Sequence, residues 1–156
     1  MRKRIITPTP VTVQVRDEGA LDVQHAATVE LTSEDEEYPI ESAFTFEEGR
    51  GWRAMEPGAQ TIRLIFDEPQ RIKRIQLIFE EQEHSRTQEF VLRWSADGGN
   101  SFKEIVRQQW NFSPGSKRET EDYRVELLNA TVIELRIVPD TSGGLARASL
   151  KSMRLS

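Results

Sequence analysis

Two arginines flank a tryptophan in Gly49-Arg50-Gly51-Trp52-Arg53, and a second polar run, Glu80-Glu81-Gln82-Glu83-His84-Ser85-Arg86, follows later in the chain. A guanidinium presents a planar fork of donors to hydroxyls or carboxylates, so Arg50 and Arg53 are candidate ligand contacts; the alternative is a pair of solvated surface arginines. Glu83, His84 and Arg86 combine acceptors and donors on one connection, the set a vicinal diol needs, and the same run also reads as a solvated hairpin. In Trp110-Asn111-Phe112 two aromatic residues stand two positions apart. A ring left outside the core there can stack on the apolar face of a pyranose, whose C–H bonds meet the negative face of the ring; otherwise both rings pack at a strand end. Trp52 reads as a core residue, and His25 as a lone imidazole on a strand.

Other chemistries lack their ingredients. The chain has no Cys, so disulfides, thiolate metal sites and cysteine nucleophiles are absent. Its two His, His25 and His84, are far apart, and there is no Gly-rich phosphate loop and no Gly-x-Ser-x-Gly. A glycosidase would need two carboxyl groups about 5–9.5 Å apart across a cleft, which spacing in sequence does not supply. The expectation is a protein without catalytic activity. With 21 Lys plus Arg against 26 Asp plus Glu, the net charge of −5 argues against a nucleic-acid partner, because phosphates require a surplus of cations. Met1-Arg2-Lys3-Arg4 begins like a signal peptide, but Thr7-Pro8-Thr9-Pro10 stands where its apolar stretch would be. A cytoplasmic location is therefore expected, and on that basis the sequons at Asn111 and Asn129 are coincidental. No apolar run is long enough for membrane insertion.

The elements that must position these residues read as strands. Candidates are Val11–Arg16, Gln24–Leu31, Thr61–Phe66, Arg71–Phe79, Glu89–Ser95, Phe102–Trp110, Tyr123–Leu128, Val132–Val138 and Ala146–Leu155. Period-two alternation places Ile75, Leu77 and Phe79 on one face, and likewise Phe90, Leu92 and Trp94, and Ile133, Leu135 and Ile137. Turn-forming groups separate the runs, among them Asp67-Glu68-Pro69 and Asp140-Thr141-Ser142-Gly143-Gly144. Ser95-Ala96-Asp97-Gly98-Gly99-Asn100-Ser101-Phe102 matches an Asp-box hairpin, in which the Asp accepts turn amides and a Gly takes positive φ. Two long connections, residues 32–60 and 111–122, stand out, the first carrying the acidic run Glu34 to Glu37. This predicts one all-β sandwich domain over 1–156, with residues 1–10 an irregular arm.

From Ile62 to Leu77 the chain resembles the paired strands of discoidin domains, also called coagulation factor V/VIII C-type domains, and of related galactose-binding-like modules. The features that carry it are Phe66-Asp67-Glu68-Pro69 followed by Arg71-Ile72. The Trp94-to-Phe102 hairpin and the ending Arg147-Ala148-Ser149-Leu150-Lys151-Ser152-Met153-Arg154-Leu155 are similar to later parts of the same family. The resemblance implies an antiparallel jelly roll of about eight core strands whose end loops bind a ligand, often a sugar, without catalysis. It also implies that an aromatic residue at the position of Trp52 packs beneath those loops. Many members hold a structural calcium with an Asp near Ala43-Phe44-Thr45 and an acidic residue in the last strand; Thr45 and Ser152 stand here, so no cofactor and no metal is expected. The resulting expectation is a carbohydrate-binding module whose loops 45–53, 80–87, 110–118 and 140–147 surround a shallow site, with Arg50, Arg53, Glu83, His84, Arg86, Trp110 and Phe112 as contacts. The alternative is an intracellular protein–protein scaffold using a sandwich face or edge.

Overall fold

A computed structural model describes residues 19–156; the expected strand Val11–Arg16 and the arm over residues 1–10 lie outside the described residues. A single helical turn, α1 (Val23–Ala26), leads into β1 (Ala27–Leu31), and a 3-10 turn (Ile40–Ala43) precedes β2 (Trp52–Pro57). The remaining strands are β3 (Gln60–Glu80), β4 (Arg86–Ser95), β5 (Lys103–Phe112), β6 (Arg118–Val138), β7 (Arg147–Leu150) and β8 (Ser152–Leu155). Gln24, His25 and Ala26 belong to the helical turn rather than to a strand, and His25 Nδ1 lies 2.7 Å from the Asp22 carboxylate.

Two pairs of expected strands are continuous. Thr61–Phe66 and Arg71–Phe79 are the two halves of the 21-residue β3, and Tyr123–Leu128 and Val132–Val138 are the two halves of β6. Asp67-Glu68-Pro69 does not end the strand because it falls in a stretch of register shifts between Ile65 and Arg74, where a proline's missing N–H leaves no ladder position unpaired. In the other direction, the expected Ala146–Leu155 divides at Lys151, whose N–H donates to Ile78 O.

Antiparallel pairing runs in the order β1-β3-β6-β4-β5, with β8 against the second half of β3, and β2 pairs with β7 separately. The irregular stretch divides the partners of β3: Gln60 to Ile65 pair with Val132 to Ile137, and Arg74 to Glu80 with Arg118 to Arg124. Such strands carry the chain from one layer of a sandwich to the other. Phe79, on the second half of β3, meets Phe90 of β4 with ring centroids 5.3 Å apart, although the two strands share no ladder. This is contact across the core.

The alternation found in the sequence is the packing pattern. Ile62, Leu64 and Phe66, then Ile75, Leu77 and Phe79, and Phe90 with Leu92 are all buried, as are Ile133, Leu135 and Ile137, while Trp94 is half-buried against the same cluster. In the last half of β6 two of the intervening positions, Val132 and Glu134, are buried too, while Arg136 on the same face is exposed. Glu134 stays charged there. Burial opposes its charge, but hydrogen bonds from Arg93 and from Arg63, the latter at 2.6 Å, outweigh that and hold its carboxyl below the usual value.

Candidate functional site

Three segments meet at one end of the sandwich around a cavity of about 580 Å³: the connection before β2, the β3–β4 connection, and the approach to β7 with β7 itself and Lys151. Each wall is held by contacts that leave particular side chains facing the opening.

The β3–β4 connection is organised by Glu81. Its N–H donates to Lys117 O at 2.9 Å, and its carboxylate accepts from the amides of Glu83 and His84 at 3.0 and 3.2 Å and from Arg86 Nε at 2.6 Å. Burial raises its pKa, but Arg86 and those two amides prevail and keep it lowered. Glu83 and His84 are left at the rim, their side chains 79% and 76% exposed and 3.7 Å apart.

The second wall depends on Tyr38. Asp35 N–H donates to Arg53 O, Arg53 N–H to Tyr38 O and Tyr38 N–H to Asp35 O, tying the turn to the start of β2. The guanidinium carbons of Arg50 and Arg53 then lie 4.6 and 4.4 Å from the Tyr38 ring centroid. Gly51 permits this approach: it has φ +78°, and a Cβ there would come within 2.6 Å of Leu150 O. Trp52 is 1% exposed beneath the wall, with Nε1 donating to Ser33 O at 3.0 Å.

On the third wall Ala148 and Leu150 enter the core, so alternation turns Arg147, Ser149 and Lys151 toward the cavity. Arg147 lies 3.6 Å from Asp35, Lys151 lies 3.4 Å from Glu80, and Leu145 is 88% exposed at the mouth. The acidic run of the first long connection is part of this architecture: Glu34 accepts from Ile40 N–H at 2.7 Å and Asp35 from Glu37 N–H at 3.0 Å.

Of the residues expected at a site, Arg50, Arg53, Glu83 and His84 line this one cavity. Arg86, Trp110 and Phe112 do not. Arg86 is buried, with Nη1 donating to Pro139 O at 2.6 Å and to Gln88 Oε1 at 3.2 Å. Its guanidinium lies 4.7 Å from the Phe112 ring, which is itself buried. The reason is register: Arg86, Gln88, Phe90 and Leu92 share the inward row of β4, and β5 places Phe112 opposite Arg86 and Trp110 opposite Gln88. Aromatics two apart on a strand face the same way, so neither was free to become a platform. Trp110 is half-buried against the core, and its indole N–H is buried.

Sequence reasoning missed Tyr38 and Lys151, and it named the loops that hold Glu80, Leu145 and Arg147 without singling those residues out. Arg147 and Lys151 were accessible from the alternation of Ala148 and Leu150. Tyr38 carried no such signal, because its place depends on how the long connection folds back on β2.

The cavity can donate hydrogen bonds and attract charge. Among the described residues, Arg50 and Arg53 have no ion-pair partner. The inner carboxylates are engaged, Glu80 with Arg118 and Lys151 and Glu81 with Arg86. Glu81, whose pKa is held down, is not the raised-pKa acid that glycoside hydrolysis uses.

The loop before β2 is closed by contacts among its own residues and with β8. The Thr45 hydroxyl donates to Glu47 O at 2.6 Å and lies 3.2 Å from Ser42 O, and the Arg154 guanidinium donates to Phe46 O. Calcium takes 6–8 oxygen ligands, usually with carboxylates among them. Here these carbonyls face donors, Ser152 is buried in β8, and no group of three His, Cys, Asp or Glu fit to hold a metal occurs among the described residues. No helix among the described residues is long and apolar enough to cross a membrane.

The chain shares its architecture with solved structures of other proteins. It is similar to the family 32 carbohydrate-binding module of C. perfringens NanJ, solved in complex with galactose, at TM-score 0.63 and 12% identity over 87% of this chain and 96% of that one. The fold is a discoidin-like jelly roll. This galactose-binding-like sandwich also matches the family 32 module of AlyQ in complex with 4,5-unsaturated mannuronic acid, with TM-score 0.61, 17% identity and coverage of 84% and 95%. A pectin-binding carbohydrate-binding module matches with TM-score 0.62 at 18% identity, over 85% of this chain and 91% of that one. At these identities the likeness concerns the jelly roll and not the ligand. No protein-family model matches the chain, and no curated protein does either.

Proposed function

We propose that this chain is a non-catalytic carbohydrate-binding module whose ligand enters the cavity between Tyr38, Arg50 and Arg53 on one side and Glu83, His84 and Leu145 on the other. The observation that carries the reading is the cavity at the loop end of a jelly roll, with two guanidiniums that no carboxylate occupies. Structural neighbours of the same fold are carbohydrate-binding modules, which supports it. A protein scaffold would favour a contiguous apolar face. The large hydrophobics exposed among the described residues, Met55, Leu128 and Leu145, are instead spread over β2, β6 and the β6–β7 loop.

Affinity for a single sugar is modest in this reading, with a Kd of roughly 10 μM to 1 mM, because polar groups on both sides are desolvated before their bonds form. The module also works without calcium, supported by the Thr45 and Arg154 contacts that fill its loop. Titration calorimetry against a panel of neutral and acidic oligosaccharides tests both points. The wild type binds at least one of them, Arg53→Gln weakens that binding about tenfold or more, and EDTA leaves it unchanged. Binding that survives Arg53→Gln, or that requires added calcium, contradicts the assignment.

A further inference from the structure

Many arginines of this acidic protein are paired with carboxylates. Arg63 and Arg93 share Glu134, Arg71 meets Glu126, Arg74 meets Asp122, Arg107 meets Glu89, and Arg118 meets Glu48. Arg50 and Arg53 approach one ring, as Arg63 and Arg93 approach Phe102, but among the described residues no carboxylate bridges them as Glu134 bridges that other pair. Holding two like charges together costs repulsion, which the Tyr38 π face offsets in part. Stacking uses the face of a guanidinium and leaves its N–H donors, which lie in the plane, directed outward. Tyr38 therefore orients two donor forks toward the cavity.

The inner carboxylates of the cavity do not quench these charges. Glu80 is held by Arg118 and Lys151, and Glu81 by Arg86. Glu83 is 79% exposed at the rim beside His84. The cavity also offers a neutral sugar little stacking surface, since the Tyr38 ring carries two guanidiniums and Trp52 is 1% exposed. Recognition must then come from charge and hydrogen bonds, and charge-assisted bonds to a planar or tetrahedral oxyanion are the stronger kind.

Building on the carbohydrate reading above, we infer that the ligand is an anionic glycan, with the acidic group of one pyranose held by Arg50 and Arg53. The shared chemistry is an oxyanion on a sugar ring, either the carboxylate of a uronic acid or an ester sulfate.

The test titrates the protein with three oligosaccharides of matched length, an oligogalacturonate, a sulfated galactan fragment and a neutral galactan fragment, at low and high NaCl. An acidic series, carboxylated or sulfated, binds at least tenfold tighter than the neutral one, and the series that does so identifies the anion. Its affinity falls as salt rises. The double variant R50Q/R53Q removes the preference while its melting temperature stays near wild type, and R53K retains part of the preference by keeping the charge. Equal binding of neutral and acidic fragments, or an acidic preference intact in R50Q/R53Q, overturns this inference and leaves the carbohydrate reading standing. Binding to none of the three at millimolar concentration overturns both.

Discussion

Glu119 is the residue in which burial and ionisation conflict most. Its side chain lies in the interior on β6, with Oε1 accepting from Gln88 Nε2 at 3.1 Å and Oε2 buried without a partner. Burial, and then the neighbouring Glu121 carboxylate, push its pKa up to about 9 from an ordinary 4.5. Between those two values the folded protein keeps a proton that the unfolded chain has released, so stability is greatest below about 4.5 and declines as pH rises toward 9. Glu119→Gln supplies the neutral amide directly. Thermal melts should show the variant more stable than wild type at pH 8, by a few degrees, at about 2–4 °C for each kcal/mol in a domain of this size. The decline between pH 5 and 8 should flatten as well. A variant that melts lower and keeps the wild-type slope contradicts the protonation assigned here. None of this was legible beforehand. In sequence Glu119 is one carboxylate in Arg118-Glu119-Thr120-Glu121-Asp122, and only its opposition to Phe79 across the ladder places it inside. Arg86 failed as a candidate contact for the same reason: as a surface arginine it would be a ligand donor, but on the inward row of β4 it fastens Glu81 and Pro139.

At the scale of elements, the turn between β4 and β5 was readable because its geometry is local. Ser95 Oγ donates to Asp97 Oδ1 at 2.6 Å and accepts from the amides of Asp97 and Gly99, while Ser101 N–H donates to Oδ1 and its hydroxyl to Oδ2. Gly98 and Gly99 take φ +75° and +95°. The bonds from Ser101 and then Ser95 bring the Asp97 pKa down to about 2 from 3.8. Its contribution is complete above about 3.8 and disappears as pH falls through 2. Asp97→Asn should therefore be less stable than wild type at pH 6, and the difference should shrink in circular-dichroism melts near pH 2. A difference that is constant with pH would mean that the carboxylate charge is not what the turn uses. The long strands β3 and β6 were not readable in this way. Asp67-Glu68-Pro69 has the composition of a stop, but pairing with β6 on both sides of it carries the strand through, and local turn preference yields to the ladder.

At the scale of the molecule, period-two alternation was enough to reveal the sandwich, because Ile75-Leu77-Phe79 and Phe90-Leu92 record which face is dry whatever their partner strand. The site was only half visible. Arg50, Arg53, Glu83, His84 and Leu145 lie on segments expected to be ligand loops, whereas Tyr38 reaches the cavity only because its connection folds back on β2. Composition concealed the decisive electrostatic fact, since a net charge of −5 does not indicate that two arginines at one end stand without carboxylates. Everything proposed for this molecule depends on a glycan binding at this end of the jelly roll. Amide chemical-shift mapping by NMR, with an oligosaccharide that the protein binds, tests it most directly. Shifts concentrated at Tyr38, Gly49 to Arg53, Glu80 to His84 and Leu145 to Lys151 are expected. Shifts concentrated on the exposed strand β5, or spread over a sheet face with that end unchanged, would contradict it.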